Sequence, residues 1–556
     1  MRPIVGDAAA APRVQRAARG RGAEMALVGA LAAAVFVVHD VGYLLGHPFW
    51  VDEAWVAITT RMPLHELRTH TASTPIGWAL LQRLIVIGGP QRFRMLTLLF
   101  AGLVVVAGYL LARLLPWPTR RAALLAGSLA GLVALLQPAA LDRNDLKQYT
   151  ADAFCTLVVF GLVSGLEASW STGRLVRLAA LVGAGMLLSD AAAFAGFAAF
   201  SSLAVLAMAR RQWGRLRAVC LCGAAAGAGI LAVYRTFDSA NLPAALRAYW
   251  RPFYPPASFG GLFHFMLSKG HTLLSFLGFG PIWLAAPVVA AGLVTLWRMQ
   301  RPATALLVPV LVAEMVGLGL AQRYPLFDPR TSDFLVSAVG VLGAIGIAGL
   351  VIAGWRAPAA GRGGAGHRGG PVRHVPVTHR SARTRRGRAV TAAGLALAVA
   401  GFGAGSSRYL HRHSLPAEDV RAQVRYVEAH RAPGDVVLMN LSANWGFGYY
   451  WRGAGPSLTP DSVVAQGYIV DYPVRDGIIV SRDRTAAAIG AALSEARSLA
   501  AARPGGHRIW LVLSHDAGPE SGVWAAALRG FLVRTINVGP EPLRLLLSPG
   551  PSSRSG

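Results

Sequence analysis

The chain has 556 residues, of which 54% are hydrophobic and 15% charged, and its formal net charge is +27. Soluble domains carry about 25% charged residues, so this composition excludes an ordinary soluble protein and predicts several membrane-spanning helices. The net charge does not predict a nucleic-acid partner. Most arginines stand in short clusters between apolar segments, which is typical of the cytoplasmic loops of membrane proteins.

The amino-terminal segment 1–24 is basic, and an apolar run follows over about 25–45. Basic flanks stay in the cytoplasm, so the next stretch, HPFWVDEAWVA at 47–57, is predicted to emerge on the outer side. No A-x-A site closes the run, which predicts an uncleaved helix. The aromatic rings of this stretch are predicted to be anchors in the membrane interface.

The segment 73–89, STPIGWALLQRLIVIGG, is apolar but short. If it crosses the membrane, the basic cluster at 91–94 is cytoplasmic and the cluster at 116–121 is outside. If it lies in the outer interface, the cluster at 116–121 is cytoplasmic instead. The rule that basic loops stay inside favours the second alternative.

The rest of the chain alternates between apolar runs and polar loops, which gives about eleven spans. The predicted fold class is a polytopic α-helical membrane protein with a small extracytoplasmic α/β domain at the C-terminus. The predicted segments are a basic cytoplasmic tail at 1–24, a transmembrane catalytic domain at 25–355, a disordered Arg/Gly-rich cytoplasmic loop at 356–388, a final span at 389–405 and the α/β domain at 406–556.

The α/β prediction rests on helices that alternate with short apolar strands. EDVRAQVRYVEAHRA and TAAAIGAALSEARSLAAA read as helices, whereas GDVVLMN, GIIVS and RIWLVLS read as strands. Alternation of this kind is typical of a small α/β domain.

Nearly every acidic residue outside the C-terminal domain falls on one side of this topology, which follows from the arginine clusters alone. These acidic residues are Asp52, Glu53, Glu66, Asp142, Asp145, Asp152, Asp190, Asp238, Asp328 and Asp333. Ionisable groups at span ends are costly unless they face water or a partner, so we expect many of them to line one cavity. Asp52 and Glu53 stand beside aromatic rings, and a partly desolvated carboxylate suits a general base.

Two further stretches bring cationic and hydroxyl groups to the same side. LDRNDLKQYTAD supplies Arg143, Lys147 and Tyr149 beside Asp145 and Asp152, and QRYPLFDPR supplies Arg323, Tyr324 and Arg330. Guanidinium, ammonium and phenol groups are suited to hold a phosphate at the level of the lipid headgroups. A carboxylate base next to a phosphate clamp indicates transfer from a lipid-phosphate donor.

These motifs resemble those of the C-type membrane glycosyltransferases (GT-C), especially glycosyltransferase family 39, which includes protein O-mannosyltransferases and aminoarabinose transferases of lipid A. Asp52-Glu53 resembles the acidic motif of the first outer loop. Ser73-Thr74-Pro75 resembles the later "HPP" segment, although the His and first Pro are absent. LKQYTAD resembles the "K-x-Y-x-x-D" stretch, and RYPLFDPR resembles the "YP…R" stretch. The resemblance covers about 25–355.

The resemblance implies a polyprenyl-phosphate sugar as donor and an envelope hydroxyl as acceptor, at the outer face of the cell membrane. Asp52 would deprotonate the acceptor, which attacks the anomeric carbon with inversion, and Glu53 would support Asp52 or bind the acceptor. Lys147, Tyr149, Arg323, Tyr324 and Arg330 would hold the donor phosphate, with Trp55, Pro75, Arg143 and Asp152 in the substrate cavity. No cofactor is certain. Some relatives use a divalent metal and others do not, so the metal stays open.

Two alternatives come from other classes of protein. A membrane transporter usually places ionisable groups near mid-membrane and contains repeats, whereas here the charges gather at one face. A non-catalytic envelope scaffold would use its C-terminal domain to bind cell-wall polymer, and the Asp52→Asn variant of a scaffold would still work.

Overall fold

The computed structural model describes residues 10–356, 396 and 399–547, with short gaps at 69, 72, 87–88, 143–145, 239–243, 411–414, 454–456, 462–463, 465, 506–507 and 517. The predicted loop 356–388 therefore lies outside the described residues apart from residue 356, and so does most of the predicted span 389–405.

The amino-terminal part is a bundle of helices. They are α1 (Ala10–Val38), α2 (Val41–Gly46), α3 (Val51–Thr59), α4 (Ile76–Leu84), α5 (Arg94–Arg113), α6 (Arg120–Leu136), α7 (Pro138–Asp142), α8 (Tyr149–Ala168), α9 (Thr172–Gly185), α10 (Ala191–Ala209), α11 (Trp213–Val233), α12 (Ala244–Tyr249), α13 (Phe259–Ser275), α14 (Ile282–Arg298), α15 (Pro302–Leu320) and α16 (Asp333–Arg356).

Eight of the described helices, namely α1, α5, α6, α8, α10, α11, α15 and α16, contain a stretch long and apolar enough to cross a membrane, and the shorter α14 is apolar as well. The chain is therefore a multi-pass membrane protein, as predicted. The count of eleven spans stays a prediction, because the last of them is described only in part.

The first predicted span differs in detail from the structure. Helix α1 already begins at Ala10, inside the segment predicted to be a tail, and ends at Val38. Asp40 adopts a left-handed conformation with φ 45° and caps α2, because its carboxylate accepts a hydrogen bond from the Tyr43 amide at 3.1 Å. The apolar run 25–45 is therefore two helices separated by a turn.

Helix α4 decides between the two alternatives for 73–89. A nine-residue helix rises about 14 Å, less than half of the roughly 30 Å of a bilayer core, so this segment does not cross. Its first turn is fixed by Gly77, whose amide donates to the carbonyl of Leu187 at 2.7 Å; a Cβ at this position would lie only 2.5 Å from the same oxygen. The cluster at 91–94 consequently lies at the same end of the bundle as 47–57.

The C-terminal domain is an α/β unit with helices α17 (Val420–His430), α18 (Leu441–Tyr450), α19 (Ala486–Ala502) and α20 (Pro519–Ala527), and strands β1 (Val436–Met439), β2 (Ser457–Pro460), β3 (Tyr468–Asp471), β4 (Ile478–Val480), β5 (Arg508–Val512), β6 (Leu532–Ile536) and β7 (Leu543–Leu547). Five strands form a sheet in the order β4-β1-β5-β7-β6, and β2 pairs with β3 in a separate hairpin.

Strands β4, β1 and β5 are parallel, whereas β7 and β6 add an antiparallel edge. Helices α17 and α18 pack on one face of the sheet, and α19 and α20 pack on the other. Strands β1 and β5 are neighbours in the sheet. The helix that follows β1 packs on one face of the sheet, and the helix that follows β5 packs on the other. Such a point creates a crevice at the carboxyl ends of the two strands.

This domain is docked on helix α3. The aromatic and aliphatic side chains around α3 share one buried core with α18 and the hairpin: Phe49, Trp50, Val51, Ala54, Trp55, Val56, Ala57, Ile58, Met62, Leu441, Trp445, Tyr449, Leu458, Tyr468, Ile469 and Val470 are among its members. The rings predicted to be interfacial anchors are therefore part of the protein interior. That prediction was wrong because the partners of these rings lie about 400 residues away in the sequence.

Candidate functional site at the first turn of α3

Helix α3 begins at Val51, directly after a residue in extended conformation, and carries both acids in its first turn. Acidic side chains are favourable there because they oppose the positive end of the helix dipole. Successive residues on a helix are rotated by about 100°, so Asp52 and Glu53 point in different directions.

Glu53 points into the protein. Its side chain and that of Arg94 are both fully buried, and Arg94 Nε donates to Glu53 Oε1 at 2.8 Å, with a second contact from the other nitrogen of the fork. Arg94 also donates to the carbonyls of Leu44, His47 and Pro48. Glu53 thus anchors the loop that leads into α3. Arg94 therefore balances the charge of Glu53, although Glu53 is the sequence neighbour of Asp52.

Asp52 points toward the loop between α15 and α16. Arg330 Nη1 donates to Asp52 Oδ2 at 3.1 Å, and the two side chains retain 14% and 23% of their exposure. Arg330 also lies 3.6 Å from Asp328 and donates to the hydroxyl of Tyr249 at 3.3 Å. The pair joins two of the predicted motifs and stays partly open to solvent.

Tyr149 contributes to the same group. Burial lowers the pKa of Arg330, but Tyr149, Asp328 and Asp52 outweigh that effect, and the pKa is raised above its ordinary value. Arg330 is therefore a permanent cation beside Asp52 and Tyr149. A fixed cation of this kind suits the binding of a phosphate group.

Lys147 connects this group with a second acidic pocket. Its ammonium lies 4.5 Å from the centre of the Trp55 ring on α3. Helix α4 holds the adjacent backbone, because Trp78 and Gln82 both donate to the carbonyl of Leu146 at 2.8 Å. Lys147 is thereby fixed over the face of α3.

The second pocket contains Asp152 and Asp190. Asp152 is buried and accepts a hydrogen bond from the Ser189 hydroxyl at 2.7 Å, and Asp190 accepts one from the Gln148 amide at 3.0 Å. Burial raises the pKa of Asp190 to about 6, against the effects of Gln148 and the positive charge of Lys147. Acids predicted from separate loops thus meet at one end of the bundle.

The remaining predicted residues are placed as follows. The Tyr324 hydroxyl donates to the carbonyl of Thr331 at 2.8 Å, so it is engaged in holding its own loop. Arg323 is exposed, and no described side-chain contact joins it to Asp52 or Arg330. Pro75 is buried at the start of α4. Arg143 lies outside the described residues.

Several residues of the site were not found from the sequence. Arg94 belongs to a basic cluster that was interpreted only as a sign of topology, although it binds Glu53. Glu418 and His515 come from the C-terminal domain: Glu418 accepts a hydrogen bond from the Val51 amide at 2.9 Å, and His515 Nδ1 lies 2.7 Å from the same carboxylate. Local sequence patterns do not predict contacts between residues that are several hundred positions apart.

A divalent metal was left open by the sequence. Among the side chains that the structure describes, no group of three His, Cys, Asp or Glu residues is arranged to hold a metal ion. A site for Mg²⁺ or Mn²⁺ needs several oxygen ligands around one point. The described side chains do not by themselves supply such a set.

Comparison of the sequence with protein-family models gave no match, and neither did comparison with curated proteins. Solved structures do match. ArnT from Cupriavidus metallidurans bound to undecaprenyl phosphate is similar with a TM-score of 0.52 at 14% identity, covering 93% of this chain and 97% of ArnT. Apo ArnT gives 0.51 at 13% identity, over 94% and 98%.

The archaeal oligosaccharyltransferase AglB from Archaeoglobus fulgidus is similar at a TM-score of 0.47 and 11% identity, over 88% of this chain and 69% of AglB, which is too low to support an argument. The likeness to ArnT extends over nearly the whole of both chains and includes the C-terminal domain. The chain therefore shares the fold of ArnT, which agrees with the predicted polytopic helical architecture and its C-terminal α/β domain.

Proposed function

We propose that this protein is a glycosyltransferase that moves a sugar from a polyprenyl-phosphate donor to a hydroxyl group of an envelope acceptor, with inversion at the anomeric carbon. The observation that carries the proposal is the contact between Asp52 and Arg330, a carboxylate and a guanidinium held together at a partly open site beneath the C-terminal domain. One group is suited to accept a proton and the other to bind a phosphate.

The reaction follows from these two groups. Donor binding would place the phosphate against Arg330, with Lys147 and Tyr149 beside it, and would release Asp52 from its ion pair. Asp52 takes the proton of the acceptor hydroxyl while the acceptor oxygen bonds to the anomeric carbon. The bond between that carbon and the phosphate oxygen breaks, and polyprenyl phosphate leaves with the electron pair. The cations stabilise the charge that develops on the phosphate.

An apolar groove supports a lipid donor. It has a volume of about 240 Å³ and lies between α13 and α16, and its walls include Leu267, Leu274 and Val339. Phe327, which also lines it, stands three residues before Arg330 in the same loop. A polyprenyl chain could lie in this groove while its phosphate reaches Arg330. The fold that the chain shares with ArnT, which was solved with undecaprenyl phosphate, supports the same class of donor.

The other predicted residues receive supporting roles. Glu53 positions α3 through Arg94 and does not bind the acceptor. Trp55 is a platform for Lys147, and Asp152 and Asp190 fix the start of α8 and α10 around that lysine. Pro75 starts the helix that holds Lys147. We also propose that the site and the C-terminal domain face the extracytoplasmic side, because the basic clusters outside the site fall at the opposite end of the bundle.

The test is sugar transfer in reconstituted vesicles. Labelled polyprenyl-phosphate sugars are supplied with extracted envelope acceptors, and wild type is compared with Asp52→Asn and with empty vesicles. We expect transfer by wild type and a loss of at least about 100-fold in the variant, with donor binding retained. Equal transfer by both proteins would exclude Asp52 as the base. Absence of transfer with every donor would contradict the proposal and favour a transporter or a scaffold that binds cell-wall polymer.

A further inference from the structure

Helix α3 is held at its first amide by the C-terminal domain. Trp50, the residue that precedes α3, makes no side-chain capping bond. Glu418 takes that role, because its buried carboxylate accepts from the Val51 amide, one residue before Asp52. An acceptor at a helix N-terminus both satisfies a free amide and opposes the helix dipole.

The other oxygen of Glu418 is bound by His515. His515 stands just after β5, in the crevice at the carboxyl ends of β1 and β5, and its backbone is left-handed with φ 51°. A non-glycine residue in that region is strained, and such strain is concentrated at functional sites. The imidazole is therefore held against Glu418 by the surrounding structure.

The charged groups around His515 come from four elements. Glu418 precedes α17, Glu541 lies between β6 and β7 and accepts a hydrogen bond from the His515 amide at 2.7 Å, Arg484 precedes α19, and Asp52 lies on α3. The hydrogen bond to Glu418 raises the pKa of His515 against the effect of burial, and Asp52 acts in the same direction. Glu418 and Asp52 thus favour the protonated imidazole, whereas burial and the positive charge of Arg484 oppose it.

We propose that Glu418 is a positioning residue for Asp52, and that protonated His515 holds Glu418 in the orientation that fixes the first turn of α3. This inference rests on the proposed function, since Asp52 is the base there. A charged imidazole forms a stronger hydrogen bond to a carboxylate than a neutral one. The hydrogen bond from His515 therefore orients Glu418 fully below the pKa of His515. This bond, and with it the capping of α3 by Glu418, weakens as the pH rises through that pKa.

The first experiment measures hydrogen exchange of the segment 49–56, without any need for catalysis. In Glu418→Ala we expect exchange to be faster by about tenfold, as for loss of a buried hydrogen bond to a charged group. Glu418→Gln, which keeps an oxygen that can accept from Val51, should recover part of the protection. Glu495→Ala, the same change at an exposed position of the same domain, is the control and should exchange as wild type does.

Unchanged exchange at 49–56 in Glu418→Ala, with the β5 segment still protected, would overturn the positioning role. The second experiment tests His515 by comparing wild type with His515→Arg, which keeps a cation at every pH. We expect the kcat of wild type to fall at alkaline pH with little change in the donor KM, and the kcat of His515→Arg to hold. Identical profiles would overturn the role of His515.

If wild type transfers no sugar from any donor, the proposed function fails, and the inference is then decided by exchange alone. Protection of 49–56 is measured at pH 6 and pH 9, corrected for the intrinsic rate of exchange, in wild type and in His515→Arg. A loss of protection at pH 9 in wild type only supports the coupling, and equal protection in both proteins contradicts it.

Discussion

Asp52 and Glu53 are adjacent in sequence, yet the regions around them are opposite in character. Glu53 lies in a closed region in which one arginine satisfies its carboxylate and three backbone carbonyls. Asp52 lies in a partly open region of loops, where its arginine partner is shared with Asp328 and Tyr249. The difference shows that a single step along a helix separates a fully buried acid from one that stays partly exposed to solvent.

The largest expected effect concerns stability in the closed region. Glu53→Gln leaves Arg94 buried without its counter-charge, and breaking a buried pair in this way costs about 3–5 kcal/mol. We expect a clear drop in the thermal unfolding midpoint in detergent. Asp52→Asn is the matched change in the open region and should alter stability by less than about 1 kcal/mol. Equal midpoints for the two variants would remove the distinction between the regions.

The second effect concerns the arginines of the open region. Arg330→Ala should lower transfer by about 100-fold, because it removes a preorganised cation from the leaving phosphate. Arg323→Ala removes an exposed guanidinium from the same loop and should retain most of the activity. Steady-state kinetics with labelled donor measure both. A comparable loss of transfer in the two variants would indicate that Arg323 also binds the donor phosphate, as its motif predicted. The difference between the partly open site and its exposed surroundings would then be smaller.

The third effect is smaller and uses the two lysines of the chain. Lys147→Met should raise the donor KM by about tenfold, as expected for one charge-assisted contact. Lys269→Met provides the control, since Lys269 makes a similar contact with the ring of Phe253 and has no described side-chain contact with Trp55 or Asp52. The prediction is contradicted if both substitutions change the KM equally.

The smallest effect extends the comparison to the second acidic pocket. The pKa of Asp190 is raised from 3.8 to about 6, so the folded protein binds more protons than the unfolded chain between these values. Stability should therefore fall as the pH rises from about 4 to 6, by up to about 1.4 kcal/mol per pH unit. Asp190→Asn should flatten this slope in thermal unfolding, and a slope equal to that of wild type would show that other groups cause it.

Much of the fold follows from the sequence, because apolar length and arginine clusters report directly on membrane spans. The strands around Val437 and Leu511 and the helix over 486–502 were also recognisable from their periodicity. Helix α18, LSANWGFGYY, was not, since glycine and aromatic residues have low helix propensity. Tertiary packing against α3 supplies the stability that the local sequence lacks.

The candidate site was predictable in part. Motifs placed Asp52, Lys147, Tyr149 and Arg330 on one side, and the structure brings them together. The direction in which Glu53 points was not predictable, because it depends on where Arg94 lies. The contacts of Glu418 and His515 could not be predicted for the same reason, because they join elements that only the complete fold brings together.

The packing of the C-terminal domain on α3 has a consequence for how the protein folds during synthesis. Tyr468 donates to the carbonyl of Trp55 across 413 positions, and Tyr450 binds the Phe49 amide across 401. During translation α3 is made early, but the surfaces that cover its aromatic side emerge from the ribosome only after nearly four hundred more residues. We therefore expect helix α3 to lack its packing partners throughout that interval, and the surroundings of Asp52 to be completed only when the C-terminal domain folds over the helix.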